Sequence, residues 1–300
     1  MTVSSEDLSF YATQSLVTDP SRHTALFADL PADVPVLMRT TRNLIIHYRA
    51  ESPLKHGIPK ERLREIDTRH VEAMLTRLIE LKDGPITTPR ALPERLVACC
   101  RDFTLLFISM ARAKGIPARA RVGFAKYFAP GLYLDHEVAE VWDAKEQRWY
   151  LVDPELADDY ESPDGVSINP LDVPRDEFLI SGEAWKLCRA GTLDPKKFMV
   201  GPDVDIEETR SWPQIRHDLI HDLVALLKTE MILWDEWANV CYEDHKRLDN
   251  IAELTMVPDV NTLKKLYEDD KDLQVPEVVN SFDPLGGLPR KVSWLNRGSV

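Results

Sequence analysis

The 300-residue chain has only four cysteines, Cys99, Cys100, Cys188 and Cys241, and 12 glycines. Four cysteines in a chain of this length do not make a disulfide framework, so a reduced, cytoplasmic protein is expected. No C-x-x-C pair occurs, which argues against a zinc knuckle or a thioredoxin-like motif. No apolar run approaches the roughly 20 residues that a membrane helix needs. The N-terminal stretch has neither a basic start nor an apolar core, so no secretory signal is expected. Cationic surface is also scarce: 37 Lys and Arg stand against 50 Asp and Glu, a net charge of −13. That balance argues against binding to a nucleic-acid backbone. It says nothing about fold. Neither an internal repeat nor a low-complexity tract is present.

What is present is the composition of a soluble globular protein, with 44% hydrophobic and 29% charged residues. Residues 1–90 read as mostly helical. A first helix is expected from Ser4/Ser5 to a stop at Asp19-Pro20. A second opens at Pro59 and runs through Leu63, Ile66, Met74, Leu75, Leu78 and Ile79 to Gly84-Pro85. The middle third changes character. Phe103, Leu106, Phe107 and Met110 predict a buried helix over 100–114, closed by Gly115 in the left-handed region and by Pro117. Strands are expected over 119–128, 136–143 and 148–153, the last two as an antiparallel hairpin. Val138, Glu140 and Trp142 share the face of His136. Residues 158–176 read as a surface loop. From Pro213 an apolar stripe through Ile215, Leu219, Leu223, Leu226, Leu227, Trp234 and Ala238 predicts a long amphipathic helix. A short helix begins near Asp259, and the tail after Pro276 reads as irregular. Helices, then a helix with strands, then helices again make an α+β chain.

Three residues carry the candidate chemistry. Cys100 opens a predicted helix, whose first turn presents N–H groups and partial positive charge that favour a thiolate and could hold an oxyanion. Arg101 adds positive charge. His136, at a strand start, could move protons between the thiol and a leaving group. Asp153, at the end of the following strand, could reach the far ring nitrogen and fix the tautomer. Taken singly, each has a plain structural role open to it: a small buried hydrophobe, a strand histidine, a turn signal. His217 and His221 lie four apart on one helix face, but no third metal ligand is identifiable. Trp234 and Trp237, and the acidic runs Glu243-Asp244 and Glu268-Asp269-Asp270, read as packing and solvated faces. Gly286-Gly287 precedes no helix and is no phosphate loop.

The stretch from about 90 to 155 resembles the transglutaminase-like superfamily of papain-type folds. Four segments carry the resemblance: Cys100-Arg101-Asp102-Phe103, Arg112 to Arg119 (RAKGIPAR), Asp135 to Trp142 (DHEVAEVW) and Arg148 to Pro154 (RWYLVDP). The resemblance implies a nucleophile helix packed on an antiparallel sheet, with Cys100, His136 and Asp153 as the triad and no metal or other cofactor. The division it suggests is a helical N-terminal extension over 1–88, the core over 89–157, and a loop and helical region over 158–300. Two departures stand out. Cys99 precedes the nucleophile where the family often has a small residue. No Trp occurs before Trp142 and no Gln between Gln14 and Gln147, so the usual second oxyanion donors are missing. Tyr48, next to His47, is the substitute candidate. The expected chemistry is attack of Cys100 on a peptide, protein or small-molecule amide to give a thioester, resolved by an amine or by water. The alternatives are an inactive descendant that keeps the fold as a binding protein, and an amide synthase of a small-molecule pathway. The sequence leaves the oligomeric state open.

Overall fold

The computed structural model describes residues 3–237 and 244–297. Cys241, Ala238 and Glu243, all named above, lie outside the described residues. The chain divides into two units, 1–119 with 138–156 and 295–300, and 120–137 with 157–294. Within the described residues, no helix is long and apolar enough to cross a membrane.

The first unit begins with α1 (Ser5–Tyr11), whose N-cap Ser4 accepts the Asp7 N–H. It ends at Tyr11, well before the expected stop at Asp19-Pro20. Helix α2 (Val34–Leu44), capped by Asp33, leads into the short strand β1 (Ile45–His47). The single helix expected from Pro59 is two elements: a 3₁₀ segment, Lys60–Asp67, and α3 (Val71–Leu81). Tertiary partners take the backbone groups between them. Val71 N–H donates to the Val17 carbonyl, and Arg101 donates to the Arg69 carbonyl. Strand β2 (Leu96–Ala98) pairs parallel with β1, with Ile45 opposite Leu96 and His47 opposite Ala98. It runs directly into α4 (Cys100–Ala113), a helix buried on nearly every side. Gly115 closes α4 with φ of +74°, as expected.

Strands β3 (Ala118–Ala125), β4 (Tyr133–Asp143) and β5 (Arg148–Val152) follow. β4 and β5 form the expected antiparallel hairpin, with Ala139 opposite Val152 and Trp142 opposite Trp149. Inside the second unit, β3 pairs antiparallel with β6 (Phe178–Ile180), with Gly123 opposite Ile180. Inside the first unit, the buried Arg119 donates to Glu140 at 2.7 Å and lies 4.1 Å above the Trp149 ring. That pairing satisfies a charge that would otherwise be costly to bury.

The second unit continues with α5 (Ser181–Arg189), β7 (Phe198–Met199), α6 (Ser211–Leu226), β8 (Asp235–Glu236), α7 (His245–Met256), α8 (Val260–Asp269), β9 (Val278–Ser281) and β10 (Arg290–Ser293). Asp259 caps α8, as its position predicts. α6 stops at Leu226, short of the expected stripe. Lys228 turns into the left-handed region with φ of +64°, and the Thr229 N–H returns to the Val224 carbonyl. The tail after Pro276 is not irregular: β9 and β10 pair antiparallel and join β8 in a three-stranded sheet. A buried anchor joins three elements of this unit. Asp222 on α6 accepts from Arg121 at 2.8 and 3.0 Å and from the Val122 N–H at 3.0 Å. Arg121 also donates to the Thr255 carbonyl of α7.

Gly123 lies where β3 meets β6, and an added Cβ would come within 2.2 Å of the Leu179 carbonyl oxygen. Both sides of that contact are backbone, so the strands would have to part. Gly123→Ala is expected to lower stability by about 1–3 kcal/mol, the usual range for overpacking. A urea unfolding midpoint that matches the parent would contradict this.

Candidate active site

Local contacts in the first unit fix the start of α4. The carboxylate of Glu65, 4% exposed, accepts the Val97 N–H at 2.9 Å and is clamped by Arg62 and Arg77. Arg62 also donates to the Pro93 carbonyl. These bonds hold β2, and with it the residues that lead into the helix. One turn further on, Asp102 accepts the Cys99 N–H at 3.0 Å and pairs with Arg101 at 3.1 Å. Arg101 is 1% exposed and also donates to the Arg69 carbonyl. Burial pushes the Asp102 carboxyl up, while Arg101 and the Cys99 N–H oppose that shift.

The two adjacent cysteines are treated differently. Cys99 is 3% exposed, and its Sγ lies 3.5 Å from an Asp102 oxygen. Cys100 is the first residue of α4 and is half-buried, not sealed. It therefore sits at the positive end of a 14-residue helix with a face open to solvent. Tyr48 follows β1, and its N–H donates to the Ala98 carbonyl at 2.8 Å, which sets it beside the two cysteines. Burial pushes the Tyr48 hydroxyl up, Arg49 opposes this, and Cys99 and Cys100 add to it. A phenol held protonated is a hydrogen-bond donor.

Asp153, fully buried, directly follows β5, and its Oδ1 accepts the Glu155 N–H at 3.0 Å. His136 belongs to the second unit. It is 2% exposed, with the Phe128 ring edge-on at 4.9 Å and Tyr127 and Phe178 beyond 6 Å, at 6.3 and 6.2 Å. His217 and His221 stack on each other at 4.3 Å and reach the Leu233 and Asp235 carbonyls. Among the described residues, no group of three or more His, Cys, Asp or Glu could hold a metal ion.

Residues 59–154 match the family described as the Transglutaminase-like superfamily. This segment is similar to a transglutaminase-like core, and the match is confined to it. The match begins at the 3₁₀ segment after Pro59 and ends one residue past Asp153, so Cys100, His136 and Asp153 all fall inside it. It points to a cysteine-dependent enzyme in general terms. A solved structure named as a candidate cysteine protease, from Cytophaga hutchinsonii, is 15% identical with a TM-score of 0.35. That likeness covers 58% of this chain and 45% of the other, less than half of its length. No curated protein sequence matches the chain.

Two acids inside the matched segment carry weight that the sequence did not announce. Asp102 was legible only as part of a motif, not as the group that locks the helix start. Asp135, beside His136, has a buried Oδ1 with no hydrogen-bond partner, and burial pushes its carboxyl up to about 7. An acid directly before a candidate histidine was the available signal.

Removing the Asp102 carboxylate would break the buried pair with Arg101 and take the acceptor from the Cys99 N–H. Asp102→Ala is therefore expected to cost about 3–5 kcal/mol. Denaturant unfolding measures this, and a loss under 1 kcal/mol would contradict the lock. A second expectation concerns His70, the N-cap of α3. Burial, and then Arg101, Arg297 and Arg69, lower its pKa from 6.5 to about 4. The folded ring stays neutral where the unfolded one takes up a proton, so stability falls as pH drops from 6.5 towards 4. In His70→Gln the stability–pH curve over that range should be flatter than in the parent.

Proposed function

We propose that this chain is a cysteine-nucleophile acyl-transfer enzyme acting on an amide, glutamine-like or peptide, through a thioester. The carrying observation is the contrast at the helix start: Cys99 is buried against Asp102, while Cys100 is half-buried at the first position of α4. Helix charge favours the thiolate form there. The Cys100 thiolate adds to the carbonyl carbon, and the oxygen takes the negative charge. The N-terminal amides of α4 and the Tyr48 hydroxyl are the donors assigned to that oxygen. His136 gives its proton to the leaving nitrogen, the C–N bond breaks, and ammonia or an amine departs. Water or a second amine then loses a proton to His136 and attacks the thioester. The C–S bond breaks and the thiolate returns.

Asp153 is assigned the bracing role. It is fully buried and directly follows β5, the strand paired with β4. A carboxylate there would hold the ring's tautomer and stabilise the imidazolium.

Iodoacetamide at mildly acidic pH, read by intact mass, tests the nucleophile. Rapid single labelling is expected in the parent and in Cys99→Ala, and its loss in Cys100→Ala. Equal labelling of the two variants would overturn the assignment. Incubation with glutamine peptides and amines should then trap an acyl adduct on Cys100.

A further inference from the structure

Within the first unit, the chain leaves β1 through a turn in which every N–H group from 47 to 50 has an acceptor. The His47 N–H donates to the Glu51 carboxylate at 2.6 Å. The Tyr48 N–H donates to the Ala98 carbonyl of β2 at 2.8 Å. The Arg49 and Ala50 N–H groups both donate to one atom, Nδ1 of the His47 ring, at 3.1 and 3.0 Å. The Ser52 N–H then returns to the Arg49 carbonyl, with Ser52 in the left-handed region at φ of +49°. Residues 47–51 contain neither glycine nor proline, so the turn is wound around an imidazole instead.

A ring nitrogen that accepts N–H bonds carries no proton, so the ring proton belongs on Nε2. A proton on Nδ1 would meet two other donors and open the turn. The same ring packs beside Tyr48, with centroids 5.1 Å apart and planes tilted by 35°. The strands place this pair close to the nucleophile. His47 is opposite Ala98 in the parallel register, and α4 begins with Cys100 two residues further on. Tyr48 lies one residue beyond the last registered pair, so the ladder ends where its side chain has to be placed. The turn supplies what the ladder does not.

We infer that His47 is a positioning residue, whose Nδ1 gathers the turn after β1 and thereby sets Tyr48 beside Cys100. The ring acts as an acceptor first and as a packing surface second. The inference deepens the reading of Tyr48 as an oxyanion donor and rests on that reading only for its catalytic consequence.

Two variants separate the two contributions of the ring. His47→Phe keeps an aromatic ring beside Tyr48 and removes the acceptor. His47→Asn removes the ring and keeps an acceptor able to close a turn. The first readout is ¹⁵N NMR of the parent chain with labelled histidine, the His47 signals being assigned by their loss in His47→Asn. Nε2 should carry the proton and Nδ1 should not. This is read in the parent, so it decides even where His47→Phe fails to fold. The second is the phenol signal of Tyr48 in chain labelled with ¹³C-tyrosine, assigned by its loss in Tyr48→Phe. It should move in His47→Phe and return in His47→Asn. The third is turnover of a glutamine peptide with an amine. His47→Phe should lower kcat by about 10²-fold, the scale of losing one oxyanion donor, with KM unchanged, and His47→Asn should recover most of it. Adding His47→Phe to Tyr48→Phe should cost no more than about twofold further, because one residue acts through the other. Iodoacetamide should label Cys100 at the parent rate in His47→Phe, since alkylation develops no oxyanion.

A proton on Nδ1 in the parent would overturn the inference. So would an unmoved Tyr48 signal in His47→Phe, or a signal restored by Phe and not by Asn. The two NMR readouts report on the turn whether or not Cys100 attacks an amide. A parent that neither labels nor turns over would remove the proposed function and leave the placement of Tyr48 by His47 to be decided by those signals.

Discussion

The bond from the Cys99 N–H to the buried Asp102 carboxylate decides what the first unit can do. It caps α4 from inside its own first turn, a position where an acid also meets the positive end of the helix dipole. The same carboxylate satisfies Arg101, which is otherwise sealed and reaches back to the Arg69 carbonyl. Because the cap fixes where the helix begins, it also fixes which cysteine is turned inward. Cys99 becomes part of the lock, and Cys100 becomes the first helical residue. One carboxylate thus links helix initiation, charge compensation and the exposure of a thiol.

Buried ion pairs recur as the way this acidic chain places its cations. Arg119 with Glu140, Arg121 with Asp222, and Arg62 and Arg77 with Glu65 each bind a charge to a carboxylate, and the last two sets also reach backbone groups. Such pairs add little net stability over an apolar core, but losing one partner is severe. They act chiefly as register pins. Glu65 fixes β2 through Val97, and Asp222 fixes β3 through Val122. The Glu65 pin sets the approach to α4, so part of the site's accuracy rests on residues 30 or more positions upstream.

Much of the central fold was legible because local signals agreed there. The apolar spacing of Phe103, Phe107 and Met110, the glycine at 115 and the proline at 117 all report one helix and its end. The hairpin of β4 and β5 was equally plain from alternation around a short polar turn. The outer regions were harder for identifiable reasons. The end of α6 carries neither glycine nor proline, and Lys228 adopts a left-handed conformation that its side chain does not advertise. The apolar residues beyond it continued the helical spacing by coincidence. The break at 68–70 is imposed by contacts from Val17 and Arg101, invisible in a local window. β9 and β10 are four residues each, too short for periodicity to register. Of the site, Cys100, His136 and Asp153 were readable from their motifs. His217 and His221, also conspicuous in the sequence, reach backbone carbonyls instead.

The contrast between the two acids of α6 bears on where function resides. Asp218 and Asp222 are one helical turn apart and equally buried. One is bonded on both oxygens to an arginine and an amide, as a structural carboxylate should be. The other keeps an oxygen without a partner and repels the acid that precedes His136. If stability alone shaped this helix, an apolar residue at 218 would spare the desolvation and the repulsion while leaving the Asp222 anchor intact. Gln214 donates to Asp218 whether that carboxyl is neutral or charged, so the glutamine does not account for the acid. The local rule that buried polar atoms find partners is therefore broken at Asp218, and groups of this kind concentrate at functional sites.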